Sequence, residues 1–440
     1  MSLYSTAFIR LGLAVGIATA LQSAFAENIN SFESALAKVQ NYQAQTDIWQ
    51  QQQQISDFNI QQSRLWQNPS LSVEQNGFGN NQDQELSIGI SQPLDVFGQR
   101  KINQALANTS AQQIQLQQQL WTAQSQLIVK FAWSQLAIAQ NEQAIYTAQF
   151  KLSKANLDSA QKRYQAGSIA LVDVERAQIE ALDIQRLYEQ ALLKKQTATR
   201  QLSNLWGETA TPIELNNNVS VWPEQSQTLI ERHLSEAWLE KLYALNIQQA
   251  NQQIEHLKVQ ARPSPTLNVG MTRTKSPTEA NDTALALGID IPLNIFNRQQ
   301  YAIPMVQKQQ LLLNHQQQRA LKQQILDIAN AIHQLKGLRA QFNSTDRQIV
   351  LAEKVQSRTL QGFQAGKLAI TDVQQTTKQL QDLRLSQIQI LAQAWQSALS
   401  AEALSVGTTY EEISRSDAYS QLNKKAIEAS QNLISNVSGQ

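Results

Sequence analysis

Two short stretches of this sequence closely resemble each other. Residues 164–174 read YQAGSIALVDV, and residues 363–373 read FQAGKLAITDV, with a glycine and an aspartate at matching places 199 positions apart. A period this long excludes a solenoid, whose units span about 20–50 residues. The repetition therefore predicts that the 440-residue chain consists of two duplicated halves.

The N-terminus has the three parts of a secretory signal peptide. Arg10 precedes the apolar run LGLAVGIATAL, and the small-residue motif AFA follows at 24–26. The apolar run is shorter than the roughly 20 residues that a membrane-spanning helix needs. We expect residues 1–26 to be a signal peptide that is cleaved after Ala26.

Charge and cysteine content exclude several classes of function. Without the signal the chain carries 35 basic and 35 acidic residues, a balance that offers no electrostatic basis for binding nucleic acid. The absence of Cys excludes disulfides, thiolate metal ligands, a cysteine nucleophile and a lipid anchor on an N-terminal cysteine. No later apolar run reaches about 18 residues, so we expect no membrane-spanning helix in the mature chain.

Most of the chain shows the apolar periodicity of long helices. In the second half, apolar residues recur at steps of 4, 3, 4 and 3, which is the spacing of a coiled-coil seam. These residues are Leu321, Ile325, Ile328, Ile332 and Leu335. Helices are predicted over about 31–63, 99–164, 171–204, 235–261, 298–363 and 371–404. At 1.5 Å per residue the two longest would measure about 100 Å, and the shorter ones would stack end to end to match them.

Four segments interrupt the helical pattern, two in each half. In each of them apolar residues alternate with small or polar ones, as in a strand with one wet face. A polar loop joins the members of each pair. The sequence therefore predicts one β-hairpin per half, at 70–94 and at 266–293, with Pro93 and Pro292 ending the second strands.

These patterns divide the chain into a signal and four parts. We expect the linker and the tail to lie at the mid-height of a rod, where stacked helices meet, and to form an equatorial belt. The parts are a first repeat at 27–204 with its helical turn at 164–173, an equatorial linker at 205–234, a second repeat at 235–405 with its turn at 363–372, and a C-terminal equatorial tail at 406–440.

Four strands are too few to close a barrel, since the smallest closed membrane barrels have about eight. Open strand edges are not stable in lipid, so several chains would have to contribute strands. The predicted fold class is mainly α with a small β part. If the strands lie in a membrane, three chains would supply twelve of them, an even number that could close a barrel above the long helices.

The sequence resembles the outer-membrane efflux proteins of the TolC family over nearly the whole mature chain. The resemblance is carried by the two repeated turns and by SQPLDVFGQR and IPLNIFNRQQ, while NPSLSVEQNG and RPSPTLNVGM are similar to the CzcC-type, heavy-metal branch. It implies a homotrimeric exit duct of a Gram-negative bacterium, with a 12-stranded outer-membrane β-barrel on a long α-helical barrel that extends into the periplasm. The implied partners are a periplasmic adaptor and an inner-membrane pump of the resistance–nodulation–division type. Heavy-metal cations are the implied cargo, and drug efflux or type I secretion remain alternatives.

In the TolC family the two turns are the periplasmic tips, which meet the adaptor and hold the entrance closed. The resemblance carries this tip role to Tyr164, Gly167, Asp173, Phe363, Gly366, Lys367 and Asp372. From the residues alone, the glycines would end helices in a left-handed conformation and the aspartates would act as N-caps of the helices that follow.

The family's gate bonding is not expected here in its usual form. In the best-known member an aspartate of the first hairpin binds a tyrosine and an arginine of the second. This chain has Phe363 and Leu368 at those two positions, with Lys367 beside them. A pairing of Lys367 with Asp173 of a neighbouring hairpin is one hypothesis for a replacement.

No enzyme, cofactor or metal-site pattern is present in the sequence. The four histidines are isolated within helical pattern, and no nucleophile motif, phosphate loop or dinucleotide fingerprint occurs. Two alternatives come from other classes: a structural coiled-coil protein, such as a filament or an adhesin stalk, and a periplasmic adaptor. Both predict a protein outside the outer membrane.

Overall fold

The computed structural model shows a mainly helical chain with one four-stranded sheet. It describes residues 29, 31–44, 48–78, 82–208, 213, 215, 222–224, 226–277 and 280–438. The predicted signal peptide and the cleavage after Ala26 lie outside these residues. Among the residues described, none of the helices has the length and apolar character needed to cross a membrane.

Long helices flank two β-hairpins in the described part of the chain. The first half contains α1 (Phe32–Ala44), α2 (Ile48–Ser63), β1 (Ser70–Asn76), β2 (Gln84–Pro93), α3 (Gln99–Gln165) and α4 (Leu171–Asn204). The second half contains α5 (Ser226–Glu236), α6 (Trp238–Gln260), β3 (Thr266–Lys275), β4 (Asp282–Asp290), α7 (Ala302–Gln364) and α8 (Ile370–Ser405), followed by α9 (Tyr410–Ser414) and α10 (Ala418–Ser438).

The predicted long helices are confirmed. Helices α3 and α7 contain 67 and 63 residues, so each is about 95–100 Å long. Helices α4 and α8 return beside them within one residue of the predicted bounds. Each half therefore contains one long helical hairpin that ends in the repeated turn.

One helix prediction is wrong at its start. The helix expected at about 235–261 is α6, and a separate helix α5 precedes it from Ser226. Ala237 separates the two helices because its φ of 49° lies in the left-handed region, which interrupts the hydrogen-bond ladder. The helix expected from about 298 begins at Ala302 for the same reason, since Gln299 has a φ of 57°.

The two β-hairpins form a single antiparallel sheet in the order β1-β2-β3-β4. The ladder between β2 and β3 runs from Gln84↔Lys275 to Pro93↔Thr266 and thus joins the two halves of the chain. Strands β1 and β4 are the outer strands, and each pairs on one side only within the described chain. Both outer strands are exposed along their whole length.

One face of this sheet is apolar across all four strands. The pairing register aligns Leu71, Ile90, Val269 and Leu287 in one row. These side chains are 52–77% exposed. A second row contains Val73, Ile88, Met271 and Leu285. Neighbouring positions on the opposite face are small or polar, as in Ser72, Gly89, Gly270 and Ala286. We call the surface formed by the two apolar rows the apolar sheet face.

The largest buried clusters surround the middle of α3. Ile213 and Leu215 of the linker pack in one cluster with Val129 and Leu136 of α3. Trp222 and Leu422 share a second cluster with residues of α3 and α8. The Trp121 indole of α3 donates a 3.1 Å hydrogen bond to Asn423 of α10. The linker and the C-terminal segment therefore both pack on the central part of the longest helix.

Candidate functional site

The repeated turns have the same backbone conformation in both hairpins. Gly167 has a φ of 68° and Gly366 a φ of 75°, which is the left-handed region that favours glycine. Their N–H groups donate to the carbonyl oxygens of Tyr164 and Phe363 at 2.8 and 2.9 Å. The predicted role of the two glycines in ending the long helices is thereby confirmed.

The two aspartates were expected as N-caps, and that position is wrong. The N-caps are Ala170 and Ala369, whose extended backbone leads into the helices. Asp173 and Asp372 are the third helical residues, where a negative charge still favours the positive end of the helix dipole. From there the Asp372 carboxylate accepts a 3.0 Å hydrogen bond from the N–H of Ala369.

Asp173 makes a different contact from that of Asp372. Its carboxylate lies 3.7 Å from a guanidinium nitrogen of Arg176, one turn along the same helix. Lys367 is exposed at the second turn. The structure describes one chain, so the pairing of Lys367 with Asp173 of a neighbouring hairpin stays a prediction.

Tyr164 and Phe363 occupy matching positions but have different surroundings. Phe363 is 1% exposed and packs in a cluster with Leu360, Ile370 and Val373, so it holds the two arms of the second hairpin together. Tyr164 is 44% exposed at the end of the first hairpin. Its ring is available at the surface of a single chain, whereas that of Phe363 is not.

Sequence reasoning missed Arg163, which connects the two turns. Its guanidinium carbon lies 4.3 Å from the centre of the Phe363 ring, and its Nη1 donates a 2.9 Å hydrogen bond to the Phe363 carbonyl oxygen. The repeat itself held a signal, because the position equivalent to Arg163 in the second half is Gly362. A charged residue that is present in one repeat and absent from the other indicates a role that the two turns do not share.

Further polar contacts join the two hairpins above the turns. Glu180 of α4 is hydrogen-bonded to Gln374 of α8, and Tyr146 of α3 to Gln381 of α8. Burial raises the pKa of the Glu180 carboxyl, while the bond from Gln374 opposes that rise. Burial, with the charge of Glu142, also raises the pKa of Tyr146. The contact between the hairpins therefore includes a carboxyl group that is costly to ionise.

No group of three or more His, Cys, Asp or Glu in the described part of the chain is arranged to hold a metal ion. His233 and His256 are each half-buried, and burial lowers the pKa of both imidazoles. Their surroundings favour neutral rings.

Comparison with known proteins relates this geometry to a family. The family model described as outer membrane efflux protein matches residues 21–208. The chain is 25% identical, over 355 residues, to the cobalt-zinc-cadmium resistance protein CzcC of Cupriavidus metallidurans. That match covers 78% of this chain and 82% of CzcC.

Solved structures have a similar fold over most of the chain. The fold is similar to that of CusC, with a TM-score of 0.65 at 16% identity, covering 87% of this chain and 93% of that one. It is equally similar to the outer membrane protein VceC of Vibrio cholerae, with a TM-score of 0.65 at 15% identity over 86% and 96% of the two chains. The matching family model and the similar folds are those of efflux channels rather than of enzymes. The predicted resemblance is thus confirmed: residues 21–208 match the outer membrane efflux protein family, most of the chain is similar to CzcC, and the fold is that of the solved channels.

Proposed function

We propose that this protein is the outer-membrane exit duct of a tripartite efflux system and that its cargo is heavy-metal cations. A periplasmic adaptor and an inner-membrane pump of the resistance–nodulation–division type would deliver the cargo. The similarity to CzcC, whose name refers to cobalt, zinc and cadmium resistance, supports this cargo. A duct conducts well when its sites bind weakly enough to release the ion, so it needs no tight metal centre of its own.

The apolar sheet face is the observation that carries the membrane assignment. Its rows cross all four strands, and a continuous exposed apolar surface of this kind is stable against lipid rather than water. The outer edges of β1 and β4 remain open in one chain, and such edges are not stable in a bilayer. Three copies, each pairing β4 with β1 of the next, would give a closed sheet of twelve strands.

In this assembly the repeats at 27–204 and 235–405 supply the helical duct. The segments 205–234 and 406–440 form its equatorial belt, which agrees with the packing of Ile213 and Leu422 on the middle of the molecule. The helical turns then form the periplasmic end, about 100 Å from the sheet.

We assign adaptor contact and closure to the turns. Tyr164, Lys367 and the two turn glycines are exposed there and are available to an adaptor. Asp173 and Asp372 stabilise the starts of the returning helices. Phe363 contributes through its contact with Arg163, which holds the two hairpins of a chain together.

A growth experiment tests the cargo. The gene is deleted from its host, and tolerance to zinc, cobalt and cadmium salts is compared with tolerance to dyes and antibiotics. We expect the loss to be confined to the metals and to be restored by the wild-type gene. Loss of tolerance to organic compounds alone would contradict the metal cargo while leaving the duct intact.

A matched pair of variants tests the membrane sheet. Leu287 lies on the apolar sheet face, and its neighbour Ala286 lies on the opposite face of the same strand. A lysine at the lipid face is expected to cost about 2–4 kcal/mol near the bilayer centre. Leu287→Lys should therefore reduce the amount of trimer recovered from the outer membrane, measured by detergent-corrected light scattering, whereas Ala286→Lys should not. A soluble monomer in the wild type would refute the assembly.

A further inference from the structure

A cavity of about 350 Å³ lies beside the middle of α3, and neither the turns nor the sheet contributes to it. It is open to solvent on one side and is lined by α3, α5, α8 and residues 222–224, with the start of α1 at its rim. Lys130, in its wall, is about 50 Å from the turn along α3. The volume falls at the lower end of the range of small-ligand sites. We call it the equatorial cavity.

Three indole rings line the equatorial cavity. They belong to Trp133 of α3, Trp222 of the linker and Trp395 of α8. Each of these residues is less than a tenth exposed, so its ring is held by the surrounding protein. The face of an indole ring attracts a cation more strongly than other aromatic faces do. Arg339 already lies 4.8 Å from the centre of the Trp222 ring, and Lys130 lies 6.0 Å from that of the Trp395 ring. The walls therefore suit the flat ring of an aromatic guest whose positive charge lies away from these two cations.

The one lysine of the lining is already neutralised. The Lys130 ammonium lies 2.7 Å from both carboxylate oxygens of Glu402, a residue that is 0% exposed. Because the carboxylate engages this ammonium with both oxygens, the pair contributes little net charge to the cavity. An anionic guest would find no uncompensated positive partner in this pair.

His233 offers the cavity an acceptor. The Ser405 hydroxyl donates to the Glu402 carbonyl oxygen at 2.6 Å, so its oxygen is left to accept from the His233 Nδ1 at 3.0 Å. The hydrogen therefore lies on Nδ1, and Nε2 keeps its lone pair. Burial lowers the pKa of this imidazole, which favours the neutral ring.

Ser226 contributes a buried hydroxyl to the wall of the cavity, and the charges lie at the rim. It lines the cavity and is 0% exposed, and its hydroxyl has no hydrogen-bond partner among the described residues. A buried hydroxyl without a partner is costly. Two carboxylates, those of Glu33 and Glu224, are exposed at the rim. Arg339 lies 3.8 Å from Glu224 and balances part of that charge, so the rim as a whole is acidic.

We propose that the equatorial cavity binds a small aromatic organic cation, such as a protonated arylalkylamine. The aromatic part lies between the indole rings, and the ammonium faces the rim carboxylates. The His233 Nε2 accepts one of its N–H groups. This site is separate from the transport path assigned above, and its occupancy does not depend on the nature of the cargo.

Calorimetric titration of the purified, detergent-solubilised protein tests the proposal with three probes that share one ring. Tryptamine is a cation, tryptophol is neutral and indole-3-acetate is an anion. We expect tryptamine to bind at least about threefold more tightly than tryptophol, because its ammonium pairs with the rim carboxylates. Indole-3-acetate should bind more weakly than both. No saturable binding of tryptamine at millimolar concentration, or equal binding of the three probes, would overturn the proposal.

Rim variants localise the site. Glu33→Gln should weaken tryptamine binding about twofold to fivefold, as for the loss of one exposed charge pair, and leave tryptophol unchanged. Glu231→Gln is the matched control, because Glu231 is exposed on α5 and does not line the cavity. Equal losses in the two variants would mean that the probe binds elsewhere. Transport assays play no part in this experiment, so its failure is distinct from failure of the efflux proposal.

Discussion

The guanidinium of Arg163 stacks on the ring of Phe363 at 4.3 Å and bonds to its carbonyl oxygen at 2.9 Å. Arg163 belongs to the end of α3 and Phe363 to the end of α7, so the contact ties together the turns of the two hairpins in one chain. Phe363 is itself fixed by the core of its own turn. Arg163 therefore binds a partner that is fixed in its own turn, and loss of Arg163 would release one turn from the other.

Replacing Arg163 should loosen the proposed closed end. Arg163→Ala removes a cation–π contact of about 0.5–1 kcal/mol and a charged hydrogen bond of about 1.5–3 kcal/mol. We expect a higher resting conductance in planar bilayers, with Arg163→Lys intermediate because lysine lacks the planar stacking group. Lys162→Ala is the control, since Lys162 pairs only locally with Asp158 at 2.6 Å. Equal conductance of Arg163→Ala and Lys162→Ala would argue that this contact does not keep the periplasmic end closed.

The two tip aspartates should differ in their local effect. Asp372→Ala removes the acceptor of the Ala369 N–H and is expected to cost about 0.5–1 kcal/mol at the start of α8. Asp173→Ala removes a 3.7 Å exposed pair with Arg176, which is worth about 0–0.5 kcal/mol. Amide hydrogen exchange of the first turns of α8 and α4 measures this difference. Comparable acceleration in both turns would contradict it.

Glu180 should make the contact between the hairpins sensitive to pH. Burial, opposed by the bond from Gln374, holds the pKa of this carboxyl above its ordinary value. Its contribution to stability is therefore present below the unfolded pKa and is lost as the pH rises through the folded pKa. We expect Glu180→Gln to raise the Tm at about pH 7 and to have a smaller effect at about pH 5.

The control for this experiment is Glu175→Gln, on an exposed position of the same helix. It should change the Tm little at either pH. If the Tm difference between Glu180→Gln and the wild type did not shrink towards the lower pH, the carboxyl would not be the titrating group.

The Lys130–Glu402 pair should be far more sensitive to one substitution than to two. Lys130→Met leaves a fully buried carboxylate without its cation and is expected to cost about 3–5 kcal/mol. The double variant Lys130→Met/Glu402→Leu removes both charges and should recover most of that loss. Thermal unfolding in detergent measures the three proteins. Lys258→Met is the control, because its partner Glu255 is exposed on the same helix, and a loss of similar size there would refute the argument.

Repetition made much of this fold predictable. The helix and strand patterns occur twice, so each half supported the interpretation of the other, and α3, α4, α7 and α8 were placed within a few residues. The difference in burial between Tyr164 and Phe363 was not predictable, because the burial of each ring depends on which residues of the returning helix face it. The left-handed Ala237 has no local signal in its side chain. Arg163 and the equatorial cavity depend on contacts between residues hundreds of positions apart.

The unbroken course of α3 gives the molecule a mechanical property. The helix has no interior glycine or proline, and its middle is held by the linker and the C-terminal segment, so the part beyond Lys130 acts as a rigid lever with its pivot in the packed belt. A tilt of about 10° at this pivot would displace Gln165 by about 9 Å over an arm of roughly 50 Å. A change in packing around Trp133, beside the equatorial cavity, would therefore be amplified at the turns.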